Sequence, residues 1–168
     1  MWLTLPVLDS YEALPVKVLE VFTLLQAVDE RCGILKIDDD LVTLETAPLK
    51  LRQVAQAFAI GDYMGSVVFS PFHDRIFHMG KCQQPTPPVY GKPVKTPWAR
   101  GALYYLSAHA LNRLTTHYLR FPGCLEGEIY EDKAVADVLH DNGIVLTGCA
   151  LEPLLGLDSA RQEAPPLV

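Results

Sequence analysis

The sequence predicts an α+β domain, with a largely antiparallel sheet from two hairpins packed with about four helices. Three observations carry this. Apolar residues recur at helical spacing in several stretches. Two alternating apolar stretches flank turn-forming tips at Asp38 to Asp40 and at Ser70 to Asp74. The chain has 168 residues, 49% of them hydrophobic, enough to fill one core. Residues 1–158 are expected to form a single domain, and 159–168 a flexible tail ending in "RQEAPPLV".

The first helix is expected over 10–31. Asp9 or Ser10 can cap it, Glu12 falls in its first turn, and Pro15 is tolerated near its start. Leu14, Val18, Val21, Leu25 and Val28 share one face. "GILKIDDDLVTLE" reads as a hairpin with strands near 33–37 and 41–45. "TAPLKLRQVAQAFAIGD" follows as a helix capped by Thr46 and ended by Gly61, with Leu51, Val54, Ala55 and Phe58 inward. "GSVVFSPFHDRIFHMGK" reads as the second hairpin. "CQQPTPPVYGKPVKTP" has five prolines and reads as a stiff, extended loop. A third helix is expected from Pro97 to Phe121, stopped by Pro122 and Gly123. "EGEIY" reads as a short strand, 131–141 as a fourth helix closing on "DNG", and "IVLTGCAL" as a last strand.

Charge is unevenly distributed. The net charge is -6, yet no Asp or Glu occurs among the 51 residues from Arg75 to Leu125. That segment holds Arg75, Lys81, Lys92, Lys95, Arg100, Arg113 and Arg120, a charge of +7. The remaining seven cations face all 20 acids, leaving −13 elsewhere. Such asymmetry points to an anionic partner for the segment, or to packing against the chain's own acids, such as Glu12, Glu20, Asp38 to Asp40 and Glu131.

The start of the third helix sharpens the first reading. Thr96 is a good cap and Pro97 suits the first helical position. First turns favour Asp or Glu, because exposed N–H groups carry partial positive charge. Here Lys92 and Lys95 precede the turn and Arg100 sits in it, an arrangement suited to a phosphate or carboxylate. On the helix's outer face, Trp98, Tyr105, His109, Arg113, Thr116 and Arg120 alternate rings with cations. His117 falls at the apolar edge. The expected function is a non-catalytic binding or regulatory module. It engages an acidic protein or a nucleic acid through residues 81–120, with Lys92, Lys95, Thr96, Trp98, Arg100, Tyr105, His109, Arg113 and Arg120 as the binding set.

The alternative is a small enzyme acting on a phosphorylated substrate. "VADVLHDNG" resembles the His-Asp step of the HD phosphohydrolases, a metal-dependent family. The resemblance implies His140 and Asp141 as metal ligands, with His109 or His117 upstream. The family's later helical Asp has no counterpart beyond Asp158 and Glu163 in the tail. His140 also suits a helix C-terminus on its own account.

Other patterns read as structural. His73 and His78 would lie about 16 Å apart on an extended strand, too far to share a metal with Cys82 and Cys124. The Asp38 to Asp40 run lacks calcium-loop spacing. Pro85 and Pro88 have P-x-x-P spacing, which could dock an aromatic groove. There is no G-x-S-x-G and no glycine-rich phosphate loop. No cofactor or metal is expected. Four well-separated cysteines read as buried thiols in a reducing compartment. No apolar run approaches 18 residues, and no basic segment precedes the first apolar ones. The expectation is therefore a cytoplasmic protein with no membrane contact.

Overall fold

The computed structural model describes residues 4–43, 51–69, 75–76, 89–90 and 94–159. Its helices are α1 (Leu14–Val28), α2 (Leu51–Phe58), α3 (Ala108–Arg120), α4 (Glu131–Asp141) and α5 (Glu152–Leu155). A 3-10 turn, Pro122–Leu125, follows α3. The strands are β1 (Ile34–Ile37), β2 (Leu41–Thr43), β3 (Tyr63–Val68), β4 (Arg75–Ile76), β5 (Val89–Tyr90), β6 (Trp98–Leu106), β7 (Thr147–Gly148) and β8 (Leu157–Ser159). The protein is α+β. The main sheet has the order β1-β6-β3-β7. β6 runs antiparallel to both neighbours, whereas β3 and β7 are parallel, so the sheet is mixed.

The largest departure from expectation is at 97–121. Residues 98–106 form the central strand, and the helix begins only after Ser107. "WARGALYYL" is rich in aromatic residues that suit a pleated surface, and Gly101 weakens a helix there. Ser107 supplies the real cap, its Oγ accepting from the Ala110 N–H at 3.1 Å. Thr96 therefore caps no helix, and the proposed anion-binding helix start does not exist.

Both hairpins are also re-paired. β1 and β2 lie where expected, but β1 pairs with β6 and β2 with β8. β3 pairs with β6 and β7, and β4 with β5. Alternation marks a strand without naming its partner, and the partner of both β1 and β3 was the strand misread as helix. "EGEIY" forms no strand, and the last strand shrinks to two residues.

The core forms where α1, α3 and α4 pack on one another and on β6. Leu19 and Phe22 of α1 meet Tyr104 and Leu106 of β6, Leu111 and Leu114 of α3, and Val135 and Leu139 of α4. Pro15 sits in the first turn of α1, and Ser10 Oγ accepts from the Ala13 N–H. α4 spans the residues expected. Cys32 is exposed, and Cys124 and Cys149 are half-buried free thiols, not core ones. Cys124 packs against the edge of the core cluster. Among the described residues no helix is long and apolar enough to cross a membrane.

The β3–β6 ladder breaks in the middle. Gly65 pairs with Tyr104 and Val67 with Ala99, so Ser66 stands opposite residues 100–103. This bulge carries Arg100 and Gly101 away from β3 and toward α4.

Candidate functional site

The expected binding residues are split among four places. Lys92 lies outside the described residues, as do Lys81, His73, His78, Cys82, Pro85, Pro88 and the cap Thr46. Thr96 and Trp98 are buried. Lys95 pairs with Asp141 at 2.6 Å, which raises its pKa. Arg100 is exposed on the bulge. The Tyr105 ring stacks on Phe58, with centroids 3.8 Å apart and planes 3° from parallel. One face of that ring is therefore occupied. Among the described residues of that set, only His109, Arg113 and Arg120 share a surface, the outer side of α3.

That surface follows from the helix itself. Ala110, Leu111, Leu114, Thr115 and Tyr118 are buried, so the opposite side, with His109, Arg113, Thr116 and Arg120, is exposed. His109 Nδ1 lies 3.2 Å from Asp62 Oδ2. A carboxylate only accepts, so the proton is on Nδ1, and His109 Nε2 accepts from Arg113 Nε at 3.5 Å. Asp62 also takes a hydrogen bond from Ser107, which, before His109, holds its pKa down. The helix ends in exposed Leu119 and Phe121, at 66% and 53%. Phe121 stacks obliquely on His117.

A second constellation, absent from the expected set, surrounds the start of α4. Glu131 is buried, its Oε2 accepting from the Tyr104 hydroxyl at 2.9 Å. Its Oε1 lies 3.3 Å from Lys36 Nζ, which also donates to Asp38 and to the Gly101 carbonyl. Burial pushes the Glu131 carboxyl up to about 7, with Lys36 pulling it back. Burial opposes the Lys36 ammonium, but Glu131 and Asp38 more than offset this and raise its pKa. A cavity of about 270 Å³ opens here, lined by Lys36, Arg100, Gly101, Glu131, Asp132 and others.

On the other side of α4, Lys133 is 1% exposed and donates to Glu128 at 2.9 Å and Asp137 at 2.6 Å. Asp137 Oδ1 is buried and has no hydrogen-bond partner among the described residues. A cavity of about 310 Å³ lies beside this group, walled also by Lys95, His117 and Asp141. His117 is half-buried against Asn142, which suits a core-border role. His140 lies 3.9 Å from Asp141, whose other oxygen is held by Lys95. His109 packs instead against Asp62.

The sequence carried one overlooked signal for the α4 sites. Within "EIYEDKAVADVLHD", the charged run Glu131 to Lys133 and Asp137 are flanked by apolar residues, so burying the helix also buries Glu131, Lys133 and Asp137. The chain matches no protein-family model, and a search of curated proteins finds no match.

Proposed function

We propose that the chain is a binding module whose α3 outer face receives an acidic segment of a partner protein. One observation carries this reading. Among its thirteen residues α3 has no acid, and its exposed side aligns His109, Arg113, Thr116 and Arg120. Of these, only His109 faces a carboxylate among the described residues. Arg113 uses one of its donors on His109, and the rest of its guanidinium remains for a carboxylate. Exposed Leu119 and Phe121 at the helix end favour protein over nucleic acid. A phosphate backbone gives an apolar side chain nothing to bury, whereas interface cores combine arginine with apolar anchors. Lys95, expected to join the site, is paired with Asp141, and Arg100 stands on the β6 bulge, away from the α3 face. The acidic remainder of the chain repels non-specific polyanions.

The test is fluorescence anisotropy with a labelled synthetic peptide of alternating Glu and Leu turns, at low salt. Binding is expected, and Arg113→Glu with Arg120→Glu should weaken it roughly ten-fold or more, at about 1 kcal/mol for each reversed charge. Leu119→Ser should weaken it as well. A DNA duplex bound more tightly than the peptide would replace the protein partner with nucleic acid. Binding of neither probe would remove the reading.

A further inference from the structure

We propose that the cavity at the β6 bulge is a binding site for a small zwitterion, a free α-amino acid being the simplest. Its carboxylate would meet Arg100, and its ammonium group would meet Glu131. The site is independent of the α3 face.

The lining presents separated charges of both signs. Arg100 is exposed, lines the cavity, and makes no hydrogen bond or ion pair among the described residues. It can therefore take a carboxylate in two-pronged fashion. The acids lie across the cavity on the first turn of α4. Glu131 accepts one hydrogen bond at each oxygen, from Tyr104 and Lys36, so each oxygen keeps a further lone pair. Lys36 is already engaged by Asp38, Gly101 and Glu131, which leaves Arg100 as the available cation.

Two backbone features keep the space between them open. The bulge displaces residues 100–103 from the β3 ladder. At Gly101, an added Cβ would stand 3.2 Å from Glu131 Oε1 and 3.4 Å from the Asp132 Cβ. A side chain there would close the gap between Arg100 and the carboxylates. At about 270 Å³, the cavity falls just below the roughly 300–1,000 Å³ of sites for drug-sized molecules. A ligand of amino-acid size fits that scale.

Charge balance selects against simpler ligands. Within the cavity Lys36 is matched by Asp38 and Glu131, whereas Arg100 has no carboxylate partner among the described residues. A lone carboxylate satisfies Arg100 but gains nothing from the Glu131 oxygens. A lone amine leaves Arg100 without a counter-ion and close to a second cation. A zwitterion satisfies both ends and adds no net charge.

Binding should be linked to the proton on Glu131. The groups facing it are Lys36 and Asp38 at β1, Arg100 and Tyr104 of β6, Tyr11 ahead of α1, and Asp132 on its own helix. Burial pushes the carboxyl up to about 7. An ammonium group favours the ionised form, so binding expels the proton, and affinity rises with pH through neutrality.

The experiment is two-dimensional NMR of the ¹⁵N-labelled protein, titrated with alanine, leucine and arginine as free amino acids. Acetate and methylamine serve as half-ligands. At least one amino acid should give saturable shifts in the amides of residues 100–102 and 131–133. The half-ligands at the same concentration should give none. Arg100→Gln, a change to an exposed side chain, should weaken the binding about ten-fold. Glu131→Gln, with its spectrum confirming the fold, should abolish the rise in affinity between about pH 6 and pH 8. Arg113→Glu should leave the binding unchanged, which separates this site from the α3 face. The proposal is overturned if no amino acid gives saturation, if acetate or methylamine alone binds as tightly, or if Arg100→Gln binds like the wild type.

Discussion

Glu131 condenses the chemistry of this protein into one side chain. It is an acid placed among apolar neighbours, between a tyrosine hydroxyl and a lysine ammonium. Its ionised form gives up water and regains only part of that loss from Lys36. Its ordinary value of 4.5 is the unfolded reference, and about 7 is the folded one. The folded state thus binds the proton more tightly. The associated stability is fully present below about 4.5 and is lost as pH rises toward and through 7. A shift of this size corresponds to at most about 3 kcal/mol. Urea denaturation at pH 5 and pH 8 should show the wild type less stable at the higher pH. Glu131→Gln cannot ionise, and should flatten that difference. If the two proteins keep the same slope with pH, some other group, such as a histidine, is responsible.

At the scale of elements, β3 and β6 approach closely beside the bulge. A Cβ added at Gly65 would lie 2.7 Å from the Ala99 Cβ, beside the bulge. Gly65→Ala should therefore destabilise the protein by about 1–3 kcal/mol, since neither backbone can retreat without breaking the ladder. Ala99→Gly removes the opposing atom, and the double variant should recover part of the loss in a denaturant cycle. Absence of coupling would mean that these strands meet in a different register. The same contact explains what was legible beforehand. α1, α4 and the strands near 34, 41 and 63 follow from local periodicity and turn residues, which act over a few positions. β6 was hidden because Pro97 and Thr96 imitate a helix start, while the true cap, Ser107, stands ten residues later. Arg100 was visible as a cation in an acid-free segment. Its surroundings were not, because Lys36, Tyr104 and Glu131 are joined only by the β1–β6 register and the seat of α4 on β6. Arg113, Arg120 and His109 were placed on one helix face correctly, because their part of the segment is helical at the expected spacing.

For the whole molecule, the charge asymmetry and the packing divide the chain in related ways. Part of the +7 segment lies at the centre of the fold, and acids from its neighbours reach it: Asp141 to Lys95, and Asp62 to His109. Around this centre the main layer is continuous from α1 through β6 to α3 and α4. Outside it, α2 packs on α5 and β2 pairs with β8. Two-stranded ladders are marginal alone, and α2 buries only Val54 among its described side chains. Its ties to the centre among the described residues include the Phe58–Tyr105 stack and, through α5, the Ser66–Glu152 hydrogen bond at 3.1 Å. Opening this outer unit exposes little apolar surface and leaves the β1-β6-β3 ladders whole, so it should occur at a fraction of the free energy of global unfolding. Native-state hydrogen exchange reads this directly. Amides of β6, α3 and α4 should exchange slowest and respond to denaturant with the full slope of unfolding. Amides of α2 and β8 should exchange faster, with a shallow dependence on denaturant. Phe58→Ala should accelerate α2 exchange and leave α4 unchanged, because it cuts a tie without touching the main core. Protection of α2 equal to that of β6 would make the outer unit part of the cooperative centre, and the bulge cavity and α3 face would then belong to a single folding unit with it.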